Sequence, residues 1–215
     1  MLLVLATLAV VAGSWRFTLA LGLRRPADVV TAWLVVLSAE LCLLVLGVGL
    51  AGQLRPVPLA VTAGVVSALQ LGWSVTAGRG AARRSGRPVW SVVSHALRRS
   101  WRHPILLVLG LLVLGQYLWR LAIALRFPAL DYDGNAYHLI SVDTWVQAGA
   151  VTHTPQVIFA DVFPQNSELV TAWSATFLHS TSLSGLTQFL FAALGTAAVV
   201  GIASNAGATR SRALL

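Results

Sequence analysis

Asp131 and Asp133 stand two residues apart in the run Leu-Asp-Tyr-Asp-Gly-Asn, and Tyr137 and His138 follow Asp133 by about one helical turn. Glu168 comes later in the same polar stretch. Carboxylates and imidazole are the side chains that move protons near neutral pH, so the set suits general acid–base chemistry. Tyr137 and His138 could reach the same pocket as Asp133, as proton relay or phosphate contacts. Arg120 and Arg126, just ahead of the aspartates, suit a phosphate, which a guanidinium holds as a two-point partner.

Plainer roles stay open for each of these residues. Asp-Tyr-Asp-Gly-Asn is also turn chemistry, and Asp133 suits the N-cap of a following helix; capping and catalysis are compatible. His138 also fits a buried, hydrogen-bonded site. Glu168 is expected in the first turn of a helix, where the dipole favours an acid in any case. Both arginines suit snorkelling to lipid headgroups. Asp131, Asp133, His138 and His153 lack the spacing of a recognised metal site, so no metal or other cofactor is assigned, and a divalent ion is left open.

The elements that must position these groups are membrane helices. The chain is 57% hydrophobic and 10% charged, with a mean hydropathy of +0.77, which a soluble globule cannot accommodate. The expected class is all-α, a polytopic membrane helical bundle. A bilayer core takes about 20 apolar residues per helix, and five stretches qualify: Met1 to Leu23, Val29 to Ala51, Val57 to Ala77, Ile105 to Leu125, and Gln188 to Ser204. The first carries Ser14, Trp15 and Arg16, so a shorter insertion with an interfacial piece is its alternative; it lacks the basic start of a secretory signal and reads as retained. Gly47, Gly49 and Gly52 are small enough for close helix packing. Cys42, the only cysteine, excludes an intramolecular disulfide and reads as packing filler or lipid-facing. Glu40, near mid-depth of the second span, calls for a function or a neutralising partner, and Arg16 is the candidate.

Arginine placement sets the expected orientation. All fifteen basic residues are arginine, and the segment 78–104 holds seven of them without an acid, so it is expected in the cytoplasm. Arg24, Arg25, Arg210 and Arg212 fall on the same side, and the loop 126–186, with five of the seven acids, falls outside. The basic segment has an apolar stripe at Trp90, Val93, Leu97 and Trp101 beside Arg98, Arg99 and Arg102, which fits an interfacial helix on anionic lipid or a solvated linker. Topology alone accounts for the arginines, so nucleic acid is not an expected partner. The chain thus divides into a three-span bundle (1–77), the basic segment (78–104), a span, external loop and span (105–204), and a cytoplasmic tail (205–215).

Within the loop, Ala136, Leu139, Val142 and Val146 recur at helical spacing over Asn135 to Ala148, and Leu169, Ala172, Trp173, Thr176 and Phe177 repeat the pattern after Pro164. Two short helices are expected to cap the outer mouth of the bundle, joined by an ordered loop.

The order Asp133, Tyr137-His138-Leu139, Trp145-Val146-Gln147, Pro164 and Glu168, placed between two spans on the outer side, resembles the first external loop of bacterial GT-C membrane glycosyltransferases, relatives of the protein mannosyltransferases and lipid A aminoarabinose transferases. The resemblance covers roughly Ile105 to Ser204; spans one to three look like an added amino-terminal bundle. It implies transfer of a sugar from a polyprenyl-phosphate donor at the outer face of a bacterial plasma membrane, with an aspartate of this loop as general base, Asp133 first because it occupies the motif position and Asp131 second, and with Glu168 positioning donor or acceptor. GT-C enzymes carry many further spans after this loop, so the chain is expected to be an amino-terminal portion or one part of a split enzyme. The competing reading is a non-catalytic multi-pass membrane protein whose external loop binds lipid or a second membrane subunit. A transporter ranks third, because the spans lack broken helices and an evident midplane polar cluster.

Overall fold

The structure, a computed structural model, describes residues 1–77, 104–127, 133–157, 160–162 and 164–207. Asp131, the proposed interfacial helix around Trp90 to Arg102, and Arg210 and Arg212 lie outside the described residues. The architecture is an all-α helical bundle, with no strand among the described residues. Five helices are long and apolar enough to cross a membrane: α1 (Leu2–Ala20), α2 (Pro26–Leu50), α3 (Pro56–Ala77), α4 (Pro104–Arg126) and, after the loop, α7 (Ser184–Asn205). Between the last two, a π-helical turn (Gly134–His138) leads into α5 (Leu139–Ala148), and a short 3-10 turn (Ala160–Val162) precedes α6 (Asn166–Leu178). Both expected loop helices are present.

Proline begins α2, α3 and α4. The first turn of a helix has no intrahelical partner for its amides, so the missing N–H costs nothing there while the fixed φ favours the helix. The first span is one continuous helix through Trp15 and Arg16.

The helices alternate in direction. The Arg25 guanidinium bonds the Asn205 carbonyl oxygen of its side chain, so the α1–α2 turn and the end of α7 share one end of the bundle. The α2–α3 turn and the loop helices share the other. There, Leu54 N–H donates to Gly149 C=O at 2.8 Å and Val151 N–H donates to Gly49 C=O at 3.1 Å. Gly149 ends α5 with φ 66°, a left-handed conformation in which a Cβ is unfavourable. Gly49 lies so close to Val151 that an added Cβ would sit 2.4 Å from Val151 Cγ2. Only this member of the small-residue trio serves close packing; Gly47 and Gly52 have open space where a Cβ would stand.

One hydrophobic core joins the three amino-terminal spans to the loop helices: Val10, Leu37, Leu44, Val45 and Leu59 are clustered with Val142, Trp145, Val170 and Trp173. Helix α6 is part of that core rather than a lid over it, since eight of its thirteen residues are buried. It inserts among α1, α2, α5 and α7. Trp173 Nε1 donates to Thr7 Oγ1 of α1 at 3.0 Å, and Cys42 Sγ meets Asn166 C=O at 3.5 Å. Cys42 lies eight residues before the end of α2, about 12 Å along the axis at 1.5 Å per residue, so α6 begins well below the helix ends. The indole of Trp145 is likewise buried, with Nε1 bonded to Thr152 C=O at 2.7 Å.

Helix α4 differs from the rest. None of its described side chains is buried, and its main neighbour is α7, where a Cβ on Gly185 would come 2.7 Å from Ala124 Cβ.

Two readings of the spans are corrected. Glu40 does not pair with Arg16, which is exposed; its carboxylate accepts from Gln70 Nε2 of α3 at 2.9 Å. The spans also do hold a polar cluster near mid-depth, because Ser67 and Gln70, one turn apart on α3, face Glu40 and Gly13.

Candidate functional site

The site is built where α4, α7 and the loop helices meet. After the π-helical turn, the α5 amide of Leu139 bonds back to Gly134 C=O. The wider turn places His138 on the side that faces α6; single π turns recur at functional sites. From the other direction, Gln165 Nε2 bonds Ala160 C=O at 2.8 Å and sets the start of α6, whose first turn carries Glu168.

Glu168 is only 4% exposed, yet both carboxylate oxygens have partners. Oε1 contacts His138 Nδ1, and Oε2 accepts from the Ser167 hydroxyl at 2.8 Å. A buried carboxylate needs such partners, because an uncompensated charge removed from water is costly. The Glu168 contact engages Nδ1, and the partner of one ring nitrogen commonly sets the role of the other. The His138 side chain is 39% exposed, so it remains reachable. The Tyr137 ring lies against the imidazole with centroids 4.2 Å apart.

His138 and Glu168 line a groove of about 1520 Å³. Arg120, Gln116 and Tyr117 of α4 lie along it, as do Thr171 of α6 and Thr187 and Gln188 of α7. Its remaining wall is apolar, with Leu112, Trp119, Ile123, Phe127 and Phe189. The Thr171 and Thr187 hydroxyls bond each other at 2.9 Å and tie α6 to α7 at its floor.

Of the residues expected from the sequence, Arg120, His138 and Glu168 are therefore brought to one groove. Asp133 is exposed and makes no side-chain capping bond, so the N-cap role is not seen. It precedes Gly134, which lines the groove. Arg126 is exposed at the end of α4 and is not among the lining residues. Ser167, Thr171, Thr187 and Gln188 were not singled out by sequence. Their signal was the polar pair Thr187-Gln188 at the start of an apolar span, together with Ser167 and Thr171 flanking Glu168 on one helix.

Two further ionisable groups lie in the loop layer. Asp143 faces a smaller polar pocket with Arg55 and His179, and burial pushes its carboxyl above the ordinary aspartate range. Asp161 is paired with His153 and accepts from the Thr154 amide at 3.2 Å. Desolvation raises its pKa, but the Thr154 amide and His153 together outweigh that and hold it below the ordinary value. Among the described residues, no group of three or more His, Cys, Asp or Glu side chains is placed to hold a metal ion.

No protein-family model, curated protein or solved structure matches the chain.

Proposed function

We propose that this chain is a membrane glycosyltransferase of the GT-C type, or the amino-terminal part of one, using a polyprenyl-phosphate sugar donor at the outer face of a bacterial plasma membrane. The observation that carries this reading is the groove itself: one guanidinium and one imidazole–carboxylate pair sit in an apolar cleft whose walls, α4 and α7, are spans. A lipid chain can enter such a cleft sideways from the bilayer. Arg120 would take the donor phosphate and Asp133, one residue before the groove-lining Gly134, the acceptor proton; His138 and Glu168 would position the substrate.

The test is lipid binding by the detergent-purified chain. Native mass spectrometry should show a polyprenyl phosphate retained in preference to the matching polyprenol, with the preference lost in Arg120→Ala. Equal retention of the two lipids would count against the phosphate assignment. The proposed orientation is checked separately by cysteine labelling in a Cys42→Ser background: an impermeant reagent should reach a cysteine at position 153, and not one at position 85, in intact cells.

A second reading keeps the groove and drops the chemistry. Helix α4 buries none of its described side chains, which suits a protein whose loop and groove hold lipid or a partner subunit. It predicts the same lipid preference and no sugar transfer in any reconstituted complex.

A further inference from the structure

Glu40 lies within α2, fourteen residues after Pro26 and ten before Leu50, and is 7% exposed. A carboxylate so far from both helix ends needs a compensating charge or a full set of hydrogen bonds. It has neither among the described residues. Gln70 Nε2 satisfies Oε2 at 2.9 Å, while Glu40 Oε1, Gln70 Oε1 and Ser67 Oγ are buried without a hydrogen-bond partner. Helix α1 closes the cluster from the third side: a Cβ on Gly13 would meet Gln70 Oε1 at 2.4 Å and Ser67 Cα at 2.9 Å. Arg16, the one basic residue of α1, is exposed and does not pair with Glu40.

Three oxygens, one of them on a carboxylate, thus share the space between α1, α2 and α3 with too few donors among them. A rotated Ser67 hydroxyl can serve only one of the other two. A water molecule would supply hydrogens but leave the carboxylate charge uncompensated in a low-dielectric interior. A hard cation answers both needs, since oxygen-only ligands suit such ions. One carboxylate balances one positive charge, whereas a divalent ion would leave a net charge buried. The tight approach at Gly13 favours a small ion.

We propose that Glu40, Ser67 and Gln70 form a binding site for a monovalent alkali cation, with sodium as the ion. The site is separate from the groove and independent of the transferase reading. It would clamp α2 to α3 against α1 in the part of the bundle just below α6.

The test is radioactive sodium binding to the full chain in detergent, paired with thermal unfolding in sodium chloride or choline chloride at constant ionic strength. Wild type should show saturable binding that unlabelled sodium displaces and choline does not, and a melting temperature that rises with sodium concentration. Glu40→Gln keeps an amide for Gln70 to bond and should abolish both effects. Ser67→Ala, a smaller change, should weaken sodium affinity at least tenfold, and it alone decides the matter if Glu40→Gln fails to fold. Absence of displaceable sodium binding in wild type, or wild-type affinity in Ser67→Ala, would overturn the site. So would a melting temperature that responds to pH but not to sodium, because Glu40 would then be satisfied by a proton.

Discussion

His138 Nδ1 and Glu168 Oε1 meet across the space between the π-helical turn and the first turn of α6, although thirty residues of chain separate them. The contact draws together the two halves of the loop between α4 and α7 and engages Nδ1 of the imidazole. Because the carboxylate is buried and also bonded to Ser167, the pair behaves as one unit.

Coupling between the two residues should therefore be measurable. In a double-mutant cycle of His138→Ala and Glu168→Gln, the effects on thermal stability should be non-additive by roughly 0.5–3 kcal/mol, the range for contacting residues. Additive losses would mean that the contact does not form in the membrane-embedded protein.

Arg120 and Arg126 should separate in lipid binding. Arg120 lines the groove and Arg126 does not. Loss of a charge-assisted hydrogen bond costs about 1.5–3 kcal/mol, so Arg120→Ala should weaken polyprenyl-phosphate affinity by roughly 10- to 100-fold. Arg126→Ala should change it by less than about threefold, because Arg126 lies outside the groove lining and acts only as a screened surface charge. A titration monitored by native mass spectrometry reads both; equal losses would remove Arg120 from the phosphate site.

Asp133 makes no capping bond, so its replacement should leave folding alone. Asp133→Asn and Asp133→Ala are both expected to melt within about 0.5 kcal/mol of wild type, as surface changes do, while sugar transfer by the complete enzyme is abolished. Wild-type turnover in either variant would end its assignment as base.

Gly49 and Gly47 offer a paired control on packing. Gly49→Ala places a Cβ against Val151 and should cost about 1–3 kcal/mol through forced displacement, whereas Gly47→Ala meets open space and should be neutral or slightly stabilising. Denaturation of the two variants in the same detergent checks the difference.

The His153–Asp161 clasp should loosen in acid. Asp161 is held below its ordinary pKa, so its contribution is fully present above the unfolded value of about 3.9 and is lost as pH falls through the lower folded value. Limited proteolysis with an acid-active protease should cut the loop around residues 153–161 faster as pH drops from 5 toward 3. Asp161→Asn should be cut at a rate that no longer varies with pH beyond the protease's own profile; an unchanged profile in that variant would mean the clasp has no role.

Much of the scaffold was legible in the sequence because membrane helices and proline starts are local properties. The five apolar runs mark α1 to α4 and α7, and the helical spacing of Leu139, Val142 and Val146, and of Leu169, Ala172 and Trp173, marks α5 and α6. Residue type marks His138, Glu168 and Arg120 as chemistry-bearing, and the order of the loop motifs singles out the first two again. Their convergence is not legible there, since no spacing rule relates a π-helical turn, a helix start thirty residues on and the face of a span. The same limit explains Glu40: its need for a partner follows from its position in an apolar run, but the choice of Gln70 over Arg16 depends on which faces of α1 and α3 turn toward α2. Periodicity also marked the apolar face of α6 without its depth. Residue types fixed which groups could react and which segments had to be helical; burial of α6 among α1, α2 and α7, which only tertiary packing sets, decided which of those groups share a groove.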